Sequence, residues 1–80
     1  MARNEILKIV TNLFNKVVDS DKIYLEELTQ ANDVDEWDSL SHILWVIEIQ
    51  KYFNIQFTTS EIQNWINISQ MIDSIELKLT

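Results

Sequence analysis

Apolar residues recur at helical spacing in three stretches of the chain, and no other feature restricts its fold as much. In the first stretch they lie on one face of a helix, at Ile6, Val10, Leu13, Phe14 and Val17. The last stretch repeats this spacing at Ile68, Met71, Ile72, Ile75 and Leu79. The pattern predicts a first helix from about Arg3 to Val18 and a last helix from about Ile68 to Leu79.

The middle stretch predicts a second helix that begins at Ser39 or Leu40 and ends at Phe53. Its apolar pattern continues without a breaker for longer than a typical strand, which argues against a buried strand. Asp38 or Ser39 can accept hydrogen bonds from the first turn and so cap the helix. Asn54 tolerates the left-handed conformation that often ends a helix.

This second helix carries two apolar stripes on neighbouring faces. One stripe suits the core and consists of Trp45, Val46, Ile49 and Phe53. The other has i, i+4, i+7 spacing and consists of Leu40, Leu44 and Ile47. A domain this small has difficulty burying so much of one helix. We therefore expect the second stripe to be exposed and to serve as a docking surface.

Two capping signals follow the second helix. The segment Thr58–Glu61 matches the capping box S/T-x-x-E and predicts a short third helix that ends near Trp65. Asn67, with Gln70 three residues on, repeats the signal before the last helix. Together these segments predict an all-α four-helix bundle, with three longer helices, one short third helix and a long loop between helices 1 and 2. Its length predicts a single domain, residues 1–80.

The predicted loop from Asp19 to Asp38 contains eight acidic residues and one lysine, so it carries the whole net charge of −7. Loops this long are uncommon inside compact domains and are often functional. Its apolar residues are expected to hold it against the core: Ile23, Tyr24, Leu25 and Leu28. An EF-hand is excluded, because registers starting at Asp19 or Asp33 lack the glycine and the final glutamate that such a loop needs.

Composition excludes several further classes of function. The chain has no cysteine and one histidine, which argues against disulfides, a cysteine nucleophile and a metal site. It has no glycine, which excludes Gly-rich phosphate loops. The negative charge disfavours nucleic acid and favours basic protein partners. With neither a signal peptide nor a membrane-length apolar run, we expect a soluble cytoplasmic monomer without membrane contact.

Ser39 lies where the acidic segment gives way to the second helix. As a nucleophile it would need a base, and the only histidine is His42, three residues away. The chain lacks a Gly-x-Ser-x-Gly elbow and is too small for an enclosed active site. A Ser-His hydrolase is therefore disfavoured, and His42 is expected to pack near the top of the core stripe. Taken alone, Ser39 would be an ordinary helix cap.

The surroundings of Ser39 favour another role. The sequence Asp38-Ser39-Leu40 at a helix start, after a long acidic loop, resembles the acyl carrier protein family. Phe53, fourteen residues after the serine, and then Ile55 and Phe57 extend the resemblance. It runs without a gap over residues 36–75 and more loosely over the first helix. A second tripeptide of this type, Asp73-Ser74-Ile75, is set aside because it lies within the predicted fourth helix.

The resemblance implies that Ser39 carries phosphopantetheine and that Asp38 and Leu40 complete the attachment site. A phosphodiester on Ser39 would lie at the positive end of the helix dipole. The thiol of the arm would carry an acyl group as a thioester, so the chain would be a carrier and not an enzyme. The cargo would lie between the helices, near Ile43, Val46, Ile66 and Ile72.

The resemblance also implies which partners this carrier has. A phosphopantetheinyl transferase would add the arm, and acyl-activating, acyl-transferring or synthase enzymes with basic docking patches would act on the cargo. These enzymes would dock on the second helix and the loop before it. The docking residues would be Asp35, Glu36, Leu44, Ile47 and Glu48.

The second helix departs from carriers of primary fatty acid synthesis, in which it is usually rich in acids. Here it holds only Glu48, has Leu44 where the family commonly has an acid, and adds Lys51. With Trp37 before the Asp-Ser-Leu tripeptide and His42 after it, the sequence is more similar to discrete carriers of polyketide, peptide or surface-polysaccharide assembly than to carriers of fatty acid synthesis. An aminoacyl or peptidyl carrier would use the same serine. An unmodified acidic helical interaction module is the alternative from a different class.

Overall fold

The computed structural model describes residues 1–80 and contains four helices and no strand. α1 spans Arg3–Val17, α2 spans Ser39–Phe53, α3 spans Thr59–Asn64 and α4 spans Ile68–Leu79. A 3₁₀ turn at Ala31–Asp33 lies within the connection between α1 and α2. The predicted all-α four-helix bundle is confirmed, and α1 ends one residue earlier than expected. None of the four helices is both long and apolar enough to cross a membrane.

Two helices end at residues with left-handed backbone. Asn54 follows α2 with φ 56° and ψ 50°, as the sequence predicts. Asp19, two residues after α1 ends, has φ 55°. Asparagine and aspartate tolerate this conformation better than other residues with a Cβ, and this chain has no glycine to use instead.

The core joins α1, α2 and α4 around Trp45, which is fully buried. The indole Nε1 of Trp45 donates a hydrogen bond to the carbonyl of Val10 at 2.9 Å. Its ring meets Phe14 edge-on, with centroids 4.8 Å apart. The predicted core stripe of α2 is confirmed, except that its last residue, Phe53, is half-buried. The other buried apolar residues are Ile6, Leu25, Val46, Ile49, Phe57, Ile68, Met71, Ile72 and Ile75.

The acidic connection is held to α1 near its start. The side-chain amide of Asn15 donates to the carbonyl of Ile23 and accepts from its N–H, both at 2.9 Å. Leu25 is buried and Ile23 is half-buried, as expected. The expectation was wrong for Tyr24 and Leu28, which are exposed. Successive side chains of an extended segment point to opposite sides, so Tyr24 faces away from the core, and Leu28 lies on a turn.

Further along, the connection completes the start of α4. The backbone N–H groups of Ile68 and Ser69 donate to the carbonyls of Thr29 and Glu27, at 3.1 Å and 2.7 Å. First-turn N–H groups have no acceptor within their own helix, so the connection supplies two. Arg3 pairs with the carboxylate of Glu27 at 2.7 Å, and its remaining carboxylate partners are Asp73 and Glu76. These bonds tie the connection to both α1 and α4.

Candidate functional site

Ser39 is the first residue of α2, and its side chain is exposed. Unlike Ser41, it makes no side-chain hydrogen bond within the protein. The positive end of the helix dipole lies at this residue. Ser39 therefore presents a free hydroxyl to solvent at a position that favours a negatively charged substituent.

A reciprocal cap fixes the backbone on both sides of Ser39. Asp38 Oδ1 accepts a hydrogen bond from the Ser41 N–H at 2.8 Å, and Ser41 Oγ accepts from the Asp38 N–H at 2.9 Å. Ser41 Oγ also donates to the carbonyl of Glu36 at 2.7 Å. The N–H and hydroxyl of Ser41 lower the pKa of Asp38, because they stabilise its charged form.

Ser41 is the one buried polar residue of the chain, and its role was not predicted from the sequence. The signal was present, because Asp38 and Ser41 have the spacing of a capping box with serine in place of glutamate. Because the cap engages the hydroxyl of Ser41, the hydroxyl of Ser39 is the one in this turn that makes no hydrogen bond within the protein.

His42 is half-buried and does not pair with Ser39. Its Nδ1 accepts a hydrogen bond from the indole Nε1 of Trp37 at 3.0 Å, and the two rings are nearly parallel, with an interplanar angle of 18° and centroids 6.0 Å apart. Burial lowers the pKa of His42, against an opposite effect of the Ile62 carbonyl. The imidazole therefore lies beside Trp37 at the edge of the core. His42 is therefore not positioned to act as a base for Ser39.

An open groove of about 730 Å³ runs between α2 and α3, and Ser39 lies on its edge. Its larger aromatic and apolar side chains are Trp37, His42, Ile43, Ile62, Trp65 and Ile66, and Gln63 is its one large amide. Of the residues predicted to lie near the cargo, Ile43 and Ile66 line this groove. Val46 and Ile72 are buried in the core and do not line this groove. Helical spacing identified an apolar face here without distinguishing the groove from the core.

The second stripe of α2 is exposed as predicted, with 67% of Leu40, 42% of Leu44 and 40% of Ile47 accessible. Ile43, which lies between two of them in sequence, is also exposed. The outer face of α2 therefore consists of apolar side chains that begin beside Ser39.

The acidic residues expected to bind partners fall into two groups. Asp35 and Glu36 are exposed in the last turn before α2. Glu48 is only partly exposed, and its carboxylate lies 3.3 Å from Lys16 Nζ of α1. The charge of Glu48 is thus partly offset, whereas Asp35 and Glu36 have no ion-pair partner in the protein.

The second Asp-Ser tripeptide has a different setting, inside α4. Ser74 Oγ accepts a hydrogen bond from the indole Nε1 of Trp65 at 2.9 Å. Asp73 pairs with Arg3 at 2.6 Å, and Ile75 is fully buried. Ser74 and Ile75 therefore make contacts inside the protein, and Asp73 forms an ion pair at the surface.

Comparison with protein-family models finds no match, and comparison with curated proteins finds none either. Among solved structures, the solution NMR structure of a holo acyl carrier protein from Geobacter metallireducens is similar, with a TM-score of 0.83 and 37% sequence identity. The match covers 91% of this chain and 84% of that one.

The fold is that of a helical carrier, and the agreement extends over almost all of both chains. This chain therefore belongs to the acyl carrier protein family, as the resemblance in its sequence indicates. The likeness supports a role as a carrier.

Proposed function

We propose that this chain is an acyl carrier protein whose single domain, residues 1–80, bears phosphopantetheine on Ser39. The observation that carries the proposal is the free, exposed hydroxyl of Ser39 at the N-terminus of α2. The similar Geobacter protein is described as holo, which agrees with a prosthetic arm.

The residues around Ser39 fit a phosphate-linked arm. The N-terminus of α2 stabilises the negative charge of a phosphodiester. Asp38 directs its carboxylate to the Ser41 N–H, so it holds the first turn while Ser39 points outward. Exposed Leu40 supplies apolar contact to an enzyme that reaches the serine.

In the attachment reaction, Ser39 Oγ forms a bond to the phosphorus of the phosphopantetheine half of coenzyme A. The pyrophosphate bond breaks, adenosine bisphosphate leaves, and a base of the transferase takes the proton of the serine. The bound arm supplies a thiol that holds acyl groups as thioesters, in a chain that has no cysteine. Ser39 itself is a tether and has no catalytic role.

Partner enzymes dock on the surface that surrounds Ser39. Asp35 and Glu36 attract basic patches and speed the encounter without making it tight. Leu44 and Ile47 supply the apolar contact, and Glu48 contributes less because Lys16 offsets its charge. The partners are a phosphopantetheinyl transferase and acyl-activating, acyl-transferring or synthase enzymes.

The weak charge of α2 also bears on the pathway. Its one acid is paired with Lys16, and Lys51 adds a positive charge near its end. This surface suits the partners of a specialised pathway, such as polyketide, peptide or surface-polysaccharide assembly, better than those of fatty acid synthesis. We place the protein in the cytoplasm as a monomer.

The test of the proposal is intact mass after incubation with a phosphopantetheinyl transferase and coenzyme A. We expect a gain of one phosphopantetheine in the wild type and in Ser74→Ala, which serves as the matched control. Ser39→Ala should show no gain. A wild type that gains nothing, or an S39A variant that still gains mass, contradicts the proposal.

The docking surface has its own test, the rate of this modification under limiting transferase. Leu44→Glu should slow modification, because it places a charge in the apolar contact. Leu77→Glu is the control, since Leu77 is exposed on α4. Equal rates for the two variants would show that the α2 face takes no part in docking.

A further inference from the structure

We propose that the groove between α2 and α3 selects a short, planar, conjugated acyl group and holds it at the surface, outside the core. This inference rests on the proposed function, since it concerns the cargo of an arm on Ser39. It adds a class of acyl group. The class follows from the separation of the groove from the core and from the apolar surfaces of its aromatic side chains.

The groove does not open into the core. None of the twelve buried apolar residues contributes to its lining. Trp37 lies between the two, with its ring edge-on to Trp45 at 5.3 Å and to Phe14 at 6.2 Å. A chain that enters the groove therefore meets Trp37 on the side of the core, and a group of limited length fits along the groove.

The aromatic walls offer carbon surfaces. The Nε1–H of Trp37 is bonded to His42, and the Nε1–H of Trp65 is bonded to Ser74. With their only polar atoms engaged inside the protein, both indoles present apolar surface to a ligand. The ring of Trp65 stands at 72° to that of His42, so the rings form a corner. Flat π-systems pack on such surfaces by offset stacking and edge-to-face contact.

His42 supports this geometry in its neutral form. Its Nδ1 can accept from Trp37 only when that nitrogen carries no proton. The wall is therefore uncharged as well as aromatic. An anionic cargo would gain no charge partner from these three rings, which favours a neutral conjugated acyl group.

The test compares two acyl groups of equal carbon number on the holo protein, saturated hexanoyl and conjugated, planar sorbyl. Because the chain has no cysteine, the thiol of the arm is the only thiol and can be acylated selectively. The readout is the ¹H–¹⁵N shift of each indole N–H. Trp45 serves as an internal control because it is fully buried.

We expect sorbyl to shift the Trp37 and Trp65 indole signals several-fold more than hexanoyl, with Trp45 unchanged. Ile66→Ala should reduce the sorbyl shifts, because Ile66 is an exposed wall residue outside the core. Tyr52→Ala, which removes an exposed aromatic residue elsewhere on α2, should not.

Equal shifts for the two acyl groups would overturn the selection of planar cargo. A shift of the Trp45 indole signal on loading of a dodecanoyl group would contradict the claim that the groove does not open into the core. Mass gain at Ser39 is measured first on the same sample. A failure of arm attachment is therefore distinguished from a failure of this inference.

Discussion

The two Asp-Ser-apolar tripeptides of the chain are nearly the same in sequence and opposite in structure. In Asp38-Ser39-Leu40 the serine is exposed and unbonded, and the leucine faces solvent. In Asp73-Ser74-Ile75 the serine accepts from Trp65 and the isoleucine lies in the core. The difference arises from their places in a helix, the first turn of α2 and the middle of α4.

The comparison teaches that a short motif acquires its role from the backbone around it. At a helix N-terminus, free N–H groups and the dipole favour an anion on a side chain that points outward. In the middle of an amphipathic helix, the next residue can fall on the buried face. A charged arm on Ser74 would disrupt packing at that point.

Modification gives the largest expected difference between the two tripeptides. If both Ser39 and Ser74 are replaced by alanine one at a time, only Ser39→Ala should abolish arm attachment. An arm found on a peptide that contains Ser74, mapped by mass spectrometry after digestion, would break the comparison.

Substitutions at the third residue of the two tripeptides should change the free energy of unfolding by different amounts. Ile75→Ala should lower the free energy of unfolding by about 2–5 kcal/mol, because it leaves a cavity in the core. Leu40→Ala should change it by less than about 0.5 kcal/mol, because Leu40 is largely exposed. Urea unfolding followed by circular dichroism measures both, and similar losses would contradict the exposure of Leu40.

Replacing each of the two serines should give a smaller difference in the free energy of unfolding. Ser74→Ala removes the acceptor of the half-buried Trp65 indole and should lower the free energy of unfolding by about 1 kcal/mol. Ser39→Ala should have almost no effect on the unmodified protein, since its hydroxyl makes no internal bond. The same urea experiment applies, with the indole N–H signal of Trp65 as a local probe.

The first residue of the tripeptide, Asp38, should give the smallest effect, a change in how stability depends on pH. The pKa of Asp38 lies below its usual value of 3.8 because Ser41 donates to the carboxylate. A lowered pKa stabilises the fold above the unfolded pKa, and this contribution disappears as the pH falls through the folded pKa. The stability advantage of the wild type over Asp38→Asn should therefore be constant near neutrality and shrink below about pH 4. An advantage that grows with acidity would contradict the cap.

Much of the fold could be predicted from local sequence. The N-terminal residue of α4 and the last residue of α2 follow from apolar spacing and from Asn67 and Asn54, which act within one turn of themselves. The position of Ser39 at the start of α2 is local in the same sense. These features depend on residues that are neighbours in the chain.

The groove could not be predicted in the same way. The bond from Trp65 to Ser74 joins the residue that follows α3 to the middle of α4, so it depends on how these two segments pack. Helical spacing gives the direction of Val46 and Ile72 relative to their own helices, but whether that direction meets core or groove is decided by the neighbouring helix. This is why half of the expected cargo residues proved to be core residues.

The bonds from the acidic connection to α4 have a consequence for folding. The N–H of Ser69 depends on the carbonyl of Glu27, which is 42 residues earlier in the chain. Closing so long a loop costs chain entropy before any contact compensates for it. Amide exchange at Ile68 and Ser69 should therefore report the opening of the connection, although both amides belong to a helix. Detachment of the acidic segment would leave the N–H groups of Ile68 and Ser69 without their acceptors.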